Sequence, residues 1–240
     1  MQPPPADWQL GTLALIVAGG SGNRMGSELP KQFLELRGKP LLTWTVERWL
    51  CVLPAGQIWL AMQPAEWQRW QALCLPHLPA DAVNIHLTEA GQSRTETVRK
   101  ALNAVAERYA GQHPPQQIAI HDGVRPLASA ELLAQCCKQG GEMGAVLPVV
   151  PVVSTLREIH VQGSSRTVDR NLYREVQTPQ VFPFTTLLEA YQKWPVNQEA
   201  TDDAQVWESM NPAPALIPGE RSNLKVTTPE DLKWAEGLLG

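Results

Sequence analysis

Three glycines within four positions, Gly19, Gly20 and Gly22, follow directly on the apolar run Leu13-Ala-Leu-Ile-Val17. No other feature of the chain restricts its fold as much. A short unbroken apolar run suits a strand buried on both faces of a parallel sheet. Glycine after it permits φ > 0 and lets the backbone approach a ligand without a Cβ in the way. A strand emptying into such a loop turns successive N–H groups outward, and these cradle phosphate oxygens. Arg24 and Lys31 add fixed positive charge just beyond. These residues point to a nucleoside triphosphate held by backbone amides, with two cations on the phosphate that reacts.

Two common phosphate motifs are excluded. Gly20-Ser-Gly22-Asn-Arg-Met-Gly26 misses the phase of the dinucleotide fingerprint by one position, and no Gly-Lys-Ser/Thr of a P-loop occurs. The net charge of -4 with no basic tract argues against nucleic acid as a partner. No apolar run is long enough to span a membrane, and Met1-Gln-Pro-Pro-Pro-Ala-Asp lacks the pattern of a secretory signal. Residues 1–12 read as a flexible tail and 13–240 as one domain. Cys51, Cys74, Cys136 and Cys137 have neither zinc nor C-x-x-C spacing, which suits a reduced cytoplasmic protein with buried thiols.

Beyond the loop the chain alternates. Leu41–Leu53 reads as a helix, Gln57–Met62 as a strand, Ala65–Leu75 as a helix and Asn84–Leu87 as a strand. Ala90-Gly91-Gln-Ser93-Arg94-Thr-Glu96-Thr97 then forms a second candidate ligand loop before a helix over Val98–Arg108. A capping box explains Ser93 and Glu96 but leaves Arg94 and Thr97 unexplained. Gln117–His121 is a further strand, and Asp122-Gly-Val-Arg125-Pro126 follows at its carboxyl end, where open α/β sheets gather ligands. Asp122 there can hold Mg²⁺ or a substrate hydroxyl, and Arg125 can pair with a phosphate.

After a strand over Gly144–Val150, apolar and polar residues alternate from Val152 to Val176 around Gly163-Ser-Ser, the pattern of an inserted β-hairpin. A projecting hairpin is suited to pairing with another chain, which makes it a candidate dimerisation arm. A helix over Pro183–Trp194, a second starting at Thr201-Asp202-Asp203 with Thr201 as cap, and short strands at Ala213–Ile217 and Asn223–Val226 follow. Thr228-Pro229 opens the last helix. The expected fold is α/β, a Rossmann-like, doubly wound, mostly parallel sheet with an arm at about 152–176.

In order along the chain, Ala18-Gly-Gly-Ser-Gly-Asn-Arg24-Met with Pro30-Lys31-Gln, His121-Asp122-Gly-Val-Arg125-Pro, Thr167-Val-Asp-Arg170, Gln177-Thr178-Pro-Gln, Thr201-Asp-Asp and Asn223-Leu-Lys225-Val-Thr-Thr-Pro-Glu-Asp231 resemble the 2-C-methyl-D-erythritol 4-phosphate cytidylyltransferases of isoprenoid precursor synthesis. The resemblance runs from about residue 13 to the C-terminus. It implies transfer of CMP from CTP to the methylerythritol phosphate, with Mg²⁺ and with release of pyrophosphate. Arg24, Lys31 and Lys225 would be catalytic, and Ala18, Gly19, Gly20, Gly91 and Thr97 would bind the nucleotide. Asp122, Arg125, Thr155, Arg170, Thr178 and Thr201 would bind the acceptor, Asp122 doubling as metal ligand. In that family Thr155 and Arg170 lie on the arm and complete the partner subunit's acceptor site, which implies a homodimer. Two other readings share the glycine-rich loop: a ribitol 5-phosphate cytidylyltransferase, and a non-catalytic nucleotide-binding regulator. The trio Arg24, Lys31 and Lys225 speaks against the regulator, because a pure binder needs no cations at the reacting phosphate.

Overall fold

The computed structural model describes residues 7–20, 29–161 and 163–239. Arg24 lies outside them, as does the second half of the glycine-rich loop.

The apolar run becomes β1 (Thr12–Val17), whose side chains alternate between two cores. Ala14 and Ile16 face Val46 and Trp49 of α1 (Leu41–Leu50) and Leu133 and Cys136 of α3 (Ala130–Met143). Leu13 and Leu15 face Val98 and Leu102 of α2 (Arg94–Arg108) and Leu187 of α4 (Phe184–Lys193). A strand apolar on both sides is therefore the middle layer of three.

Around it run β2 (Ile58–Met62), β3 (His86–Glu89), β4 (Gln117–Asp122) and β5 (Val146–Pro151). Two strands form the arm, β6 (Leu156–Ile159) and β7 (Ser165–Val168), and then come β8 (Arg174–Val176), β9 (Gln180–Pro183) and β10 (Ala215–Pro218). The main sheet runs β8-β5-β9-β4-β1-β2-β3, with β10 paired to β5. β1 is parallel to β2 and β4, β2 to β3 and β5 to β10, while β8 and β9 run antiparallel to their neighbours. The doubly wound, mostly parallel expectation holds, with two antiparallel insertions. In the register of the central pair Val17 stands opposite Asp122, so the glycine-rich loop and the Asp122 turn leave the sheet side by side.

Several boundaries differ from the sequence reading. The first helix stops at Leu50, since Pro54 keeps Leu53 from continuing it. The expected helix over 65–75 is broken into 3₁₀ turns, one α turn and a π segment at Trp70–Cys74, between Pro64 and Pro76. β3 starts two residues late, because Asn84 closes a 3₁₀ turn. α2 starts at Arg94, four residues earlier than expected, because the Ser93 hydroxyl accepts from Glu96 N at 3.2 Å.

The arm is shorter than 152–176: β6 pairs antiparallel with β7, but Arg174–Val176 returns to the main sheet against β5. Asp202, and not Thr201, caps α5 (Asp203–Glu208), its carboxylate accepting from Gln205 N at 3.0 Å. Asn223–Val226 joins no strand; Val226 N donates to Val124 O at 2.9 Å. α6 (Pro229–Leu238) has the expected Thr228 cap, completed as a capping box by Asp231. Of the segment read as a tail, residues 7–12 are described and packed. Asp7–Leu10 form a helical turn, Gln9 donates to Val52 O at 2.9 Å, and Thr12 opens β1.

All four cysteines are free, and only Cys51 is exposed. Burial pushes the Cys74 thiol up to about 11 and the Cys136 thiol to about 12. Among the described residues no helix is long and apolar enough to cross a membrane.

Candidate active site

Two clefts open at the carboxyl ends of β1, β2, β3 and β4. The larger, about 400 Å³, lies between Ala18-Gly19-Gly20 at the end of β1 and Gly91-Gln92-Ser93 after β3. Both loops are fixed where they leave the sheet: Ala18 N donates to Ala61 O at 2.8 Å and Ala90 N to Met62 O at 3.0 Å. The loops approach so closely that a Cβ on Gly19 would stand 2.5 Å from Ala90 Cβ. Gly20 leaves room for Lys31, whose Nζ lies 3.9 Å from where a Gly20 Cβ would be. Buried Gln32 donates to Ala18 O at 2.9 Å and anchors the Lys31 turn to the loop.

The second loop is tied from within. Thr97 Oγ1 accepts from Gly91 N at 2.9 Å and donates to Ser93 O at 2.7 Å. Glu96 takes Gln92 N at 2.7 Å in place of the cap's own N–H, so the expected capping box is only half formed. Gln63 donates to Gly91 O at 3.0 Å. The Thr97 hydroxyl therefore shapes the loop, while Gly91 lines the cleft without a side chain.

Asp122 sits at the floor. Its Oδ2 faces Arg125 Nε at 3.2 Å and Lys225 Nζ at 3.1 Å, and its Oδ1 faces Arg94 Nε at 3.6 Å. Burial alone would raise this carboxyl; Arg94, Lys225 and Arg125 outweigh it and hold it well below the usual carboxylate range. Arg94 in turn forks onto buried Asp203 at 3.0 and 2.7 Å. Burial would lower its guanidinium, and Asp203 and Asp122 outweigh that, so Arg94 is a permanent cation. Behind Asp122, burial and the Arg125 charge push His121 down to about 3, so it is neutral; its Nδ1 lies 3.1 Å from Thr178 Oγ1.

The smaller cleft, about 210 Å³, shares Arg94, Asp122 and Lys225 with the larger one and adds Arg125, Thr178 and Thr201. Thr178 Oγ1 accepts from Asp122 N at 3.1 Å. Arg125 Nη1 donates to Asn223 O at 2.8 Å, and Asn223 Nδ2 to Thr178 O at 2.9 Å, so the strand-free segment carrying Lys225 is locked to both. One carboxylate, one lysine and one arginine thus stand between a pocket sized for a nucleotide and a pocket sized for a small polar acceptor.

Most of the sequence-predicted residues in the described regions meet here. Thr155 and Arg170 do not: both are exposed on the arm side of the molecule and line neither cleft, and Arg170 donates to Val153 O. Sequence reasoning missed Arg94 as part of the cation cluster, together with its clamp Asp203 and with Asn223. The available signal was that capping left Arg94 unexplained.

A divalent cation is the cofactor that the resemblance implies. Among the described residues no group of three or more His, Cys, Asp or Glu side chains could hold one. Asp122 already faces three cationic side chains, a poor setting for a metal ligand. Magnesium commonly binds through substrate phosphates and its own waters, with few protein ligands. The donor set fits a cation that arrives on a triphosphate, and it does not fit a protein cage.

The family model for IspD, 2-C-methyl-D-erythritol 4-phosphate cytidylyltransferase, matches residues 12–240. A protein of that name from Bacteroides fragilis is 42% identical over 226 residues, covering 94% of this chain and 98% of its own. Among solved structures, the enzyme of that name from Thermus thermophilus aligns with a TM-score of 0.72 at 29% identity, covering 94% of this chain and 97% of its own. A 4-diphosphocytidyl-2C-methyl-D-erythritol synthase from Anaerococcus prevotii aligns at 0.77 and 25%, covering 95% and 97%. With a match spanning both loops, the Asp122 turn and the Lys225 segment, the chain belongs to the 2-C-methyl-D-erythritol 4-phosphate cytidylyltransferase family.

Proposed function

We infer that this protein transfers CMP from CTP to 2-C-methyl-D-erythritol 4-phosphate, giving 4-diphosphocytidyl-2-C-methyl-D-erythritol and pyrophosphate. The observation that carries this reading is the meeting of two clefts at Asp122 and Lys225. An acceptor phosphate oxygen attacks the α-phosphorus of CTP, the bond to the bridging oxygen of the β-phosphate breaks, and pyrophosphate leaves with that electron pair. Charge grows on the equatorial oxygens and on the leaving group, so placed cations and backbone amides supply most of the catalysis.

In this reading the amides of Ala18, Gly19 and Gly20 cradle the triphosphate, and Lys31 and Lys225 neutralise the developing charge. Arg24 joins them by its place in the motif. The flat cytosine slides between the two loops beside Gly91, and Thr97 keeps that loop in shape. Asp122, Arg125, Thr178 and Thr201 receive the acceptor. A divalent cation, bound to the phosphates, adds charge neutralisation. Thr155 and Arg170 act in the partner's acceptor site, which makes the working unit a homodimer. Exposed Val153, Ile159, Leu172 and Tyr173 on and beside the arm support that pairing. Four free thiols and the cellular supply of CTP support a cytoplasmic location.

Phosphorus NMR of a reaction mixture tests the assignment. A new diphosphate linkage with stoichiometric pyrophosphate is expected. Free CMP in place of the linkage would mean that water is the acceptor, and would refute it.

A further inference from the structure

Arg94 stands in both clefts. As first residue of α2, one position past the Ser93 cap, it is continuous with the nucleotide loop. Its two terminal nitrogens grip Asp203, the fully buried first residue of α5, directly beyond Thr201 and Asp202 of the acceptor cleft. Asp203 Oδ1 also accepts from Tyr191 Oη at 2.6 Å. A second tie runs alongside, with Ala200 N donating to Thr95 Oγ1 at 2.9 Å. The first turn of α2 therefore joins the loop of one cleft to the segment framing the other.

That grip decides what Arg94 can do. A forked guanidinium–carboxylate pair is directional and strong, and releasing it would strand a buried charge on Asp203. Arg94 is thus held back from following a phosphate through the reaction. Its remaining Nε faces Asp122 Oδ1, while Arg125 and Lys225 both face Oδ2. Arg94 is the cation that sets the Oδ1 side and so the plane of that carboxylate.

We propose that Arg94, clamped by Asp203, is a positioning residue for the acceptor: it orients Asp122 and holds the Thr201–Asp203 segment in register with the nucleotide loop. The proposal rests on the cytidylyltransferase reading and adds a role to it. The groups proposed to hold CTP lie on the Ala18–Gly20 loop, on Lys31 and beside Gly91, and the Gly91–Ser93 loop keeps its own ties through Thr97 and Gln63 without Arg94. Losing Arg94 therefore weakens use of the acceptor far more than binding of CTP.

The test compares Arg94→Gln with the double variant Arg94→Gln/Asp203→Asn. The single change leaves Asp203 charged and buried. The double change removes both charges and keeps an acceptor for Tyr191, so it is expected to recover most of the melting temperature lost by the single change. In both variants kcat/KM for the acceptor is expected to fall ~10²-fold, while the calorimetric Kd for CTP with Mg²⁺ stays within ~3-fold of wild type. If the double variant regains kcat/KM together with its melting temperature, Arg94 is only structural and the proposal fails. Equal losses for CTP and acceptor would make Arg94 a phosphate ligand and overturn it too. Should the double variant not fold, Arg94→Lys decides. It keeps the charge but cannot fork onto Asp203 and face Asp122 together, so a ~10-fold or greater acceptor loss is expected and wild-type kinetics refute. Wild-type protein silent with CTP and methylerythritol phosphate would instead sink the underlying reading, and the proposal with it.

Discussion

A single methyl group on Gly19 should cost this protein its nucleotide. The Cβ of Gly19→Ala would stand 2.5 Å from Ala90 Cβ and 3.5 Å from Thr97 Oγ1. Ordinary carbon–carbon contact lies near ~3.5–4.0 Å, so the two loops must part by about 1 Å or more. Neither can slide away at its base, because Ala18 N and Ala90 N are bonded to the last two carbonyls of β2, Ala61 O and Met62 O. The strain therefore falls on the loop tips, on Gly19-Gly20, whose amides are proposed to hold the triphosphate, and on Gly91–Ser93, beside which the cytosine is proposed to lie. Overpacking of this kind costs about 1–3 kcal/mol. In a chain of this length each kcal/mol corresponds to a melting shift of roughly 2–4 °C. Taken out of CTP binding instead, the same cost of about 1–3 kcal/mol is roughly 5- to 150-fold in Kd. Calorimetric titration with CTP and Mg²⁺, beside a thermal melt, reads both effects. CTP affinity within twofold of wild type and an unchanged melting temperature would show that the loops do not form the nucleotide site.

Three further outcomes are expected. Lys31→Ala keeps the fold, by circular dichroism, and lowers turnover by ~10²-fold or more, since it removes charge from the reacting phosphate; near-normal turnover contradicts its role. His121 is held neutral in the folded state and gains its proton on unfolding, so its contribution to stability is whole above about pH 6.5 and drains away toward pH 3. Denaturant titrations should then show wild type losing about 1–3 kcal/mol more than His121→Asn between pH 6.5 and 4. Asp122, depressed by its cations, adds a loss only below the ordinary carboxylate pKa, and identical acid limbs in the two proteins would refute the His121 assignment. Arg170→Ala raises the acceptor KM with little change for CTP. Mixing it with Lys31→Ala subunits restores up to about a quarter of wild-type activity if the arm serves the partner's site, and no recovery means that it does not.

Much of this architecture is legible in residue patterns. β1 is legible because an apolar run ending in glycines has few alternatives, and Asp122 because an acid after an apolar strand falls at the ligand edge of an open sheet. What escapes is set by tertiary contact. Local capping suggests Thr201, but Asp202 wins because Gln180 Nε2 donates to its Oδ2 at 2.9 Å and fixes the side chain in place. The Arg94–Asp203 pair spans residues far apart in sequence, and no periodicity announces it. Asn223–Val226 has the pattern of a strand, yet its backbone is held by the Val124–Arg125 turn and not by a sheet neighbour. The apolar pattern is legible there; the missing sheet partner is not. Thr97 lines the larger cleft, as the motif expects, and its hydroxyl also ties its own loop to Gly91 N and Ser93 O, a bond pattern that no sequence spacing announces.

Pyrophosphate release from CTP and Mg²⁺, with 2-C-methyl-D-erythritol 4-phosphate and ribitol 5-phosphate supplied in parallel, tests the central claim most directly. Release with the methylerythritol phosphate and none above background with ribitol 5-phosphate is the expected result. Release with ribitol 5-phosphate alone would leave the loop chemistry standing and contradict the acceptor assignment. CTP binding without release from either would contradict catalysis itself.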